Sequence, residues 1–338
     1  MKLSILDPVQ IPNGKTSAEA VQGSLALAQR AEELGYHRYW LVEHHNVPYE
    51  VNPAPEVLAA ALGCATKTIR IGVGGVLLNH YSPYKAAEAL HTLNALFPGR
   101  IDVGIGRATA GIEADTALRR LRDTEIPDDH AQQTEEFAGW LGNDLPENSP
   151  FHQIKIMPDQ PARVLPWVLA ATEASAKRAA ILGLPLACSA FHQPENAPLA
   201  MKAYYEHFQP SRFAAGVQKP ETLLAVRLIV APTQEEAERL AMPMRAAFKL
   251  RRKDNIMLDH LPTPDEAIAM MGGVLPAEDT DWPAYVIGTP ERVKSVLERM
   301  MRETQATEIM VQDVLHDAQL RIRHYELLAK TFDLSGQA

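Results

Sequence analysis

Cysteine is scarce in this chain, and the two that occur, Cys64 and Cys188, lie far apart among apolar neighbours. That excludes a disulfide framework and reads as two reduced core thiols of a cytoplasmic protein. Long apolar runs are missing too. No stretch approaches the ~20 residues a membrane helix needs, and Met1 to Asp7 passes straight into a strand pattern, so neither a membrane span nor a signal peptide is expected. There is no basic face: the net charge is −9, and Lys and Arg are scattered apart from Lys249-Leu250-Arg251-Arg252-Lys253. That cluster sits where a helix ends and complements its exposed carbonyls, so nucleic acid is not an expected partner. A Gly-x-Ser-x-Gly elbow and a Gly-Lys-Ser/Thr phosphate loop are both absent, which removes the commonest hydrolase and triphosphatase readings. His44 and His45 are adjacent on extended chain and face opposite ways, and no helical pair of histidines four apart accompanies them, so a metal site is not expected.

What the sequence does have is alternation. Strand-like segments at 3–6, 38–42, 69–76, 100–105, 167–171, 185–189, 223–230 and 308–312 are each followed by a helix or by a connection containing one. Helix signals are explicit, such as Thr16 with Glu19, Pro83 opening a helix, and Gly183 closing one. Two connections are long. Polar residues 107–129 and a Pro-rich stretch to 166 follow the fourth strand, and the irregular residues 254–285 follow the seventh. Eight such units point to a single-domain (β/α)8 barrel over residues 1–338 with insertions after strands 4 and 7, a doubly wound open sheet being the alternative.

In a barrel the loops after the strands form the site, and here those positions carry Asp7, Glu43-His44-His45, Gly74-Gly75, Gly104-Ile105-Gly106-Arg107, Ala171-Thr172 and Ser189-Ala190-Phe191-His192. The run Tyr39-Trp40-Leu41-Val42 breaks without a turn residue into one carboxylate and two imidazoles, as a buried strand does when it delivers its last residues to a cavity. Gly74-Gly75 fits either a flat ligand against the backbone or a packing bulge. Arg107 fits either an anion or a salt bridge to a nearby acid. Thr172 and Ser175, at the start of a helix, fit either an anion cradle or a plain N-cap. The glycines at 104–111 are wrongly spaced and placed for a dinucleotide fingerprint.

These residues together resemble the bacterial-luciferase-like flavin-dependent monooxygenases. The match is carried by Gly35-Tyr36 through Trp40-Leu41-Val42-Glu43-His44-His45-Asn46, by Ile71-Gly72-Val73-Gly74-Gly75-Val76, by Ala87-Glu88, and by Phe97-Pro98-Gly99-Arg100 through Arg107. It continues in Ala171-Thr172-Glu173-Ala174-Ser175, Gly183-Leu184-Pro185, Ile287-Gly288-Thr289-Pro290 and Glu308-Ile309-Met310-Val311. The resemblance implies a (β/α)8 barrel with reduced FMN at the C-terminal mouth. Gly74, Gly75 and Val76 would form the platform under the ring, often through a cis peptide, and Gly106, Arg107, Ala171, Thr172 and Ser175 the phosphate side. His44 would lie at the reaction centre with Glu43 in support, and Glu88 would be a buried orienting acid. Luciferase carries a reactive cysteine where this chain has Gly106, so luminescence is not implied.

The expected activity is oxygenation of a small organic substrate by molecular oxygen. Reduced flavin would come from a separate reductase, since no nicotinamide fingerprint is present. A deazaflavin-dependent oxidoreductase and a non-catalytic flavin-binding protein are the alternatives. Residues 254–285 are read as a lid or a dimer contact, and homodimerisation is expected through Ala-rich helix faces such as Ala59-Ala60-Ala61 and Ala86-Ala87.

Overall fold

The computed structural model describes residues 1–119, 128–159, 163–251 and 256–334. Its strands are β1 (Lys2–Asp7), β2 (Arg38–Leu41), β3 (Arg70–Leu77), β4 (Ile101–Gly106), β5 (Leu165–Ala170), β6 (Leu186–Ser189), β7 (Thr222–Val230), β8 (Val286–Gly288) and β9 (Glu308–Gln312). All pairings between them are parallel, in the order β6-β5-β4-β3-β2-β1-β9-β7, and β6 pairs with β7 to close an eight-stranded ring. The short β8 hangs on the outer end of β7. This is the expected (β/α)8 barrel.

Around it run α1 (Ser17–Glu33), α2 (Pro55–Ala65), α3 (Pro83–Leu96), α4 (Ile112–Leu118), α5 (His130–Gly142), α6 (Glu173–Leu182), α7 (Ala197–His207), α8 (Gln234–Lys249), α9 (Pro264–Met271), α10 (Pro290–Thr304) and α11 (Ala318–Thr331). Local chemistry fixes their ends. Thr16 and Glu19 form a reciprocal capping box at α1, Thr172 caps α6, and Gly183 closes α6 in the left-handed conformation that glycine adopts at least cost.

Two cores result. One lies between strands and helices; the other fills the barrel with Leu6, Trp40, Trp167, Ala187, Leu223, Ala225 and Met310. Trp40 explains a puzzle in β3. A Cβ on Gly72 or Gly74 would stand 2.0 or 2.6 Å from the indole, so both glycines are required by packing inside the barrel. The peptide between Gly74 and Gly75 is cis. Gly74 pairs with Gly104 but Val76 with Ile105, so one extra residue is inserted at this point.

Four expectations need correction. Residues 254–285 are not wholly irregular: α9 stands there with Ala267 packed against Met242 and Ala246 of α8. Arg245 holds the carbonyls of Leu275 and Pro276, which keeps this stretch on the outer side of α8. The polar stretch after β4 contains α4, while residues 120–127 lie outside the described ones. Cys64 is exposed on α2 and only Cys188 is buried; burial pushes the Cys188 thiol up to about 12. Asp7 does not face the mouth. It turns outward, accepting from Ser24, Tyr39, Arg321 and the Val9 amide.

Candidate active site

A cavity of about 950 Å³ opens at the C-terminal ends of the strands. Its floor is Trp40, Leu6 and Met310, the top of the barrel core, and its walls come from the loops and helix starts that follow the strands. Most of the residues singled out in the sequence meet here: Glu43, His44, Gly74, Gly75, Gly106, Arg107, Ala171, Thr172 and Ser175 all line it.

Two do not. Val76 packs in the layer between barrel and helices, because the residue inserted at Gly75 reverses the inward-outward alternation, and Leu77 takes the wall position instead. Glu88 is a half-exposed residue of α3 that pairs with Lys85 at 3.1 Å. The buried face of that helix is Ala87, Leu90 and His91, which leaves Glu88 one step round, off the cavity wall.

His44 and His45 part as expected. The His44 Nδ1 lies 3.0 Å from Oε2 of Glu50, a buried carboxylate on the cavity wall. The two atoms are within ion-pair distance without the alignment of a hydrogen bond. His45 turns away and meets Glu43 at 2.8 Å, with the Tyr81 hydroxyl donating to the same Glu43 oxygen at 2.9 Å. Burial raises the Glu43 carboxyl above the usual range, and the bonds from His45 and Tyr81 pull it part of the way back.

The β4–β5 side is cationic. Arg107 reaches the cavity from the end of β4 and Arg178 from α6, whose N-terminus carries Thr172 and Ser175. Both readings of these residues coexist. Arg107 pairs with Asp128 at 2.8 Å on the exposed rim, and Thr172 accepts from the Ser175 amide as an ordinary N-cap. Along the cavity wall α6 presents Thr172, Ser175, Arg178, Ala179 and Leu182, so the positive end of its dipole lies at the cavity's edge. His130, also on the wall, is held below the usual imidazole range by burial, with Arg107 and Arg178 adding to the effect against its bond to the Gly106 carbonyl. It is therefore a neutral donor near neutral pH.

Sequence reasoning passed over Glu50, His130, Arg178, Arg227 and Gln312, all on the wall, and read Arg251, also on the wall, only as a helix-end cation. For Arg227 a signal was there to read. In Leu223-Leu224-Ala225-Val226-Arg227 alternate residues face inward, so the arginine follows Leu223 and Ala225 into the barrel mouth. Among the described residues the wall carries four arginines and two glutamates, in a chain whose net charge is −9. That local reversal of sign suits an anionic ligand. Among the described residues no group of three or more His, Cys, Asp or Glu is placed to hold a metal, and no helix is long and apolar enough to cross a membrane.

Residues 1–308 match the family model of the luciferase-like monooxygenases. The chain belongs to that family. A luciferase-like monooxygenase of Escherichia coli strain K12 is 35% identical over 96% of this chain and 95% of its own length. The N-acetyl-S-alkylcysteine monooxygenase of Bacillus subtilis strain 168 is 32% identical over 97% of each. Among solved structures, apo-MsnO8 superposes with a TM-score of 0.88 at 37% identity, covering 98% of both chains. More distant structures share the fold alone. The oxygenating constituent of 3,6-diketocamphane monooxygenase from Pseudomonas putida, in complex with FMN, has a TM-score of 0.69 at 18% identity, covering 98% of this chain and 97% of its own. An F420-dependent secondary alcohol dehydrogenase with an F420-acetone adduct has 0.65 at 13%, covering 98% of both.

Proposed function

We propose that this luciferase-like monooxygenase binds reduced FMN in the barrel mouth and uses it with molecular oxygen on a small organic substrate. The observation that carries the reading is the clustering of Arg107, Arg178 and the α6 N-terminus at one end of a roomy, apolar-floored cavity. A phosphate needs such a donor set, and a ring system needs the floor. The residues present fit the group. Arg107, Arg178, Thr172, Ser175 and the α6 amides would hold the phosphate, with Arg107 exchanging Asp128 for it. The ring would lie against the cavity-lining backbone of Gly74 and Gly75 and against Ala171, the side-chain positions of the two glycines being taken up by Trp40, Gly104 and Leu169.

When bound, reduced FMN supplies the electrons that activate oxygen. The chain supplies the rest. Trp40, Leu169 and Met310 exclude water from below. His44, its Nδ1 beside Glu50, holds or moves a proton at the reacting end of the cavity. Reduced FMN would come from a separate reductase, as the sequence carries no nicotinamide fingerprint.

Calorimetric titration of the full chain tests the cofactor. FMN should bind at least ~10-fold more tightly than riboflavin or FAD, and Arg107→Ala should weaken FMN by roughly 10- to 100-fold while leaving riboflavin almost unchanged. Equal affinities, or tighter binding of F420, would overturn the assignment.

We further propose a homodimer through α2 and α3. Ala59 and Ala87 are buried within the subunit, but Ala61 and Val57 stand exposed on α2, Val57 at 68%. Light scattering should give twice the 37.3 kDa chain mass; the single-chain mass would rule the dimer out.

A further inference from the structure

The phosphate reading uses the arginines on one side of the cavity. Two more remain across it. Arg227 stands on β7, which lies four places from β3 either way round the eight-strand ring and so directly opposite Gly74-Gly75. Its guanidinium is buried with its centre 3.9 Å from the Phe248 ring centroid and 4.4 Å from that of Phe191. Its Nε–H donates to Gln312 Oε1 at 2.9 Å, and Gln312 is its register partner on β9. Arg251, just after α8, also lines the cavity, is hydrogen-bonded to Tyr49, and shares that tyrosine as a neighbour with Arg227. Rings on the faces and an amide at one edge fix a planar cation that a flexible side chain would otherwise lose rotamer entropy to hold.

A second cation so placed has no part in holding a phosphate that α6, Arg107 and Arg178 hold on the other side. It stands where a second molecule must lie to face a ring seated on Gly74-Gly75. We infer that this part of the cavity is the organic-substrate site, and that it takes a small carboxylic acid bearing an apolar chain or ring. The carboxylate would meet Arg227 and Arg251; the apolar body would lie against Phe191 and Phe248. The inference rests on the flavin reading for its geometry, since the ring defines what faces what.

A matched pair of probes, 4-phenylbutanoate and its neutral isostere 4-phenylbutanamide, isolates the carboxylate. Each is titrated into full-length protein saturated with FMN, with binding followed by calorimetry. The wild type should prefer the acid by at least ~10-fold, the ordinary value of one charge-assisted contact in a water-poor site. Arg227→Met, which keeps an apolar filler between the rings, should bring the two probes within about threefold of each other, while FMN affinity stays within about twofold and the thermal transition remains cooperative. Arg227→Lys should keep part of the preference. Should Arg227→Met fail to fold, Arg251→Met carries the same expectation of a reduced preference.

Equal binding of acid and amide by the wild type, or no binding of either at millimolar concentration, overturns the inference. So does an Arg227→Met protein that keeps the preference, and so does one that loses FMN, which would make Arg227 a cofactor residue. A wild type that does not bind FMN removes the flavin reading instead, and the first titration, done separately, tells the two failures apart.

Discussion

Both ends of the barrel carry charge, and they use it differently. At the N-terminal end Arg38, the first residue of β2, lies inside the ring between Asp102 and Glu308. Arg70 makes a second fork to Asp102 with a shortest contact of 2.6 Å, Ser4 donates to Glu308, and Arg38 covers the Trp167 ring at 4.9 Å. Every one of these charges has a partner within the fold. Burial pushes the Asp102 carboxyl up, yet Arg38 and Arg70 more than offset it and leave it below the ordinary range. At the C-terminal end the wall charges are spread around a cavity, and the pair formed by Arg107 and Asp128 is solvent-exposed on both sides. The first arrangement closes the barrel. The second sets four arginines and two glutamates around an open cavity, and a division between a structural floor and a loop-built rim is what the barrel architecture permits.

The sharpest break between the two ends is Arg38→Met. It leaves Glu308 without its arginine and Asp102 with Arg70 alone, and should cost about 3 to 5 kcal/mol of stability, read as a large drop in the melting temperature. Arg107→Ala, which ruins FMN binding in the proposal, should move the melting temperature of the ligand-free protein by almost nothing, because exposed pairs contribute about 0 to 1 kcal/mol. A comparable drop for both variants would erase the distinction.

A smaller effect comes from His37 beside the same floor network, 4.0 Å from Glu308. Burial holds its imidazole down to about 4, with Glu308 opposing and Arg38, Lys2 and Arg70 assisting. The folded protein thus keeps His37 neutral where the unfolded chain would take up a proton, so stability is lost as pH falls from about 6.5 towards about 4. His37→Gln should flatten that part of the profile. Urea melts across the range check it, and an unchanged slope would show that other groups govern the loss.

Much of this was legible in advance, for identifiable reasons. Strand and helix periods sufficed for the ring, helped by the side-chain N-caps of α1, α6, α8, α10 and α11. The place of His44 on the cavity wall was legible because it follows directly on the buried strand β2. Val76 was misplaced because the residue inserted at Gly75 is set by β3–β4 pairing, which no local pattern reveals. Glu88 was expected to be buried on the resemblance alone, whereas α3 buries Ala87, Leu90 and His91 and leaves Glu88 half-exposed. Arg178 and Gln312 came from elements that the chain order separates and only closure of the ring brings together. Gly74 was legible as special but not as to why; Trp40, 34 positions earlier, is the cause.

The account places the proton chemistry on His44 and makes its role distinct from cofactor binding. The measurement that bears on this most directly is rapid mixing of photoreduced, FMN-loaded protein with oxygenated buffer, following return of the oxidised flavin absorbance in wild type and in His44→Ala. FMN affinity should stay within about threefold, because a group acting on the reacting centre contributes little to the resting complex. The reoxidation rate should change by ~10-fold or more, at the lower end of what a positioned acid or base supplies. Identical reoxidation rates in the two proteins, with FMN bound equally well, would contradict the account and make His44 a bystander on the cavity wall.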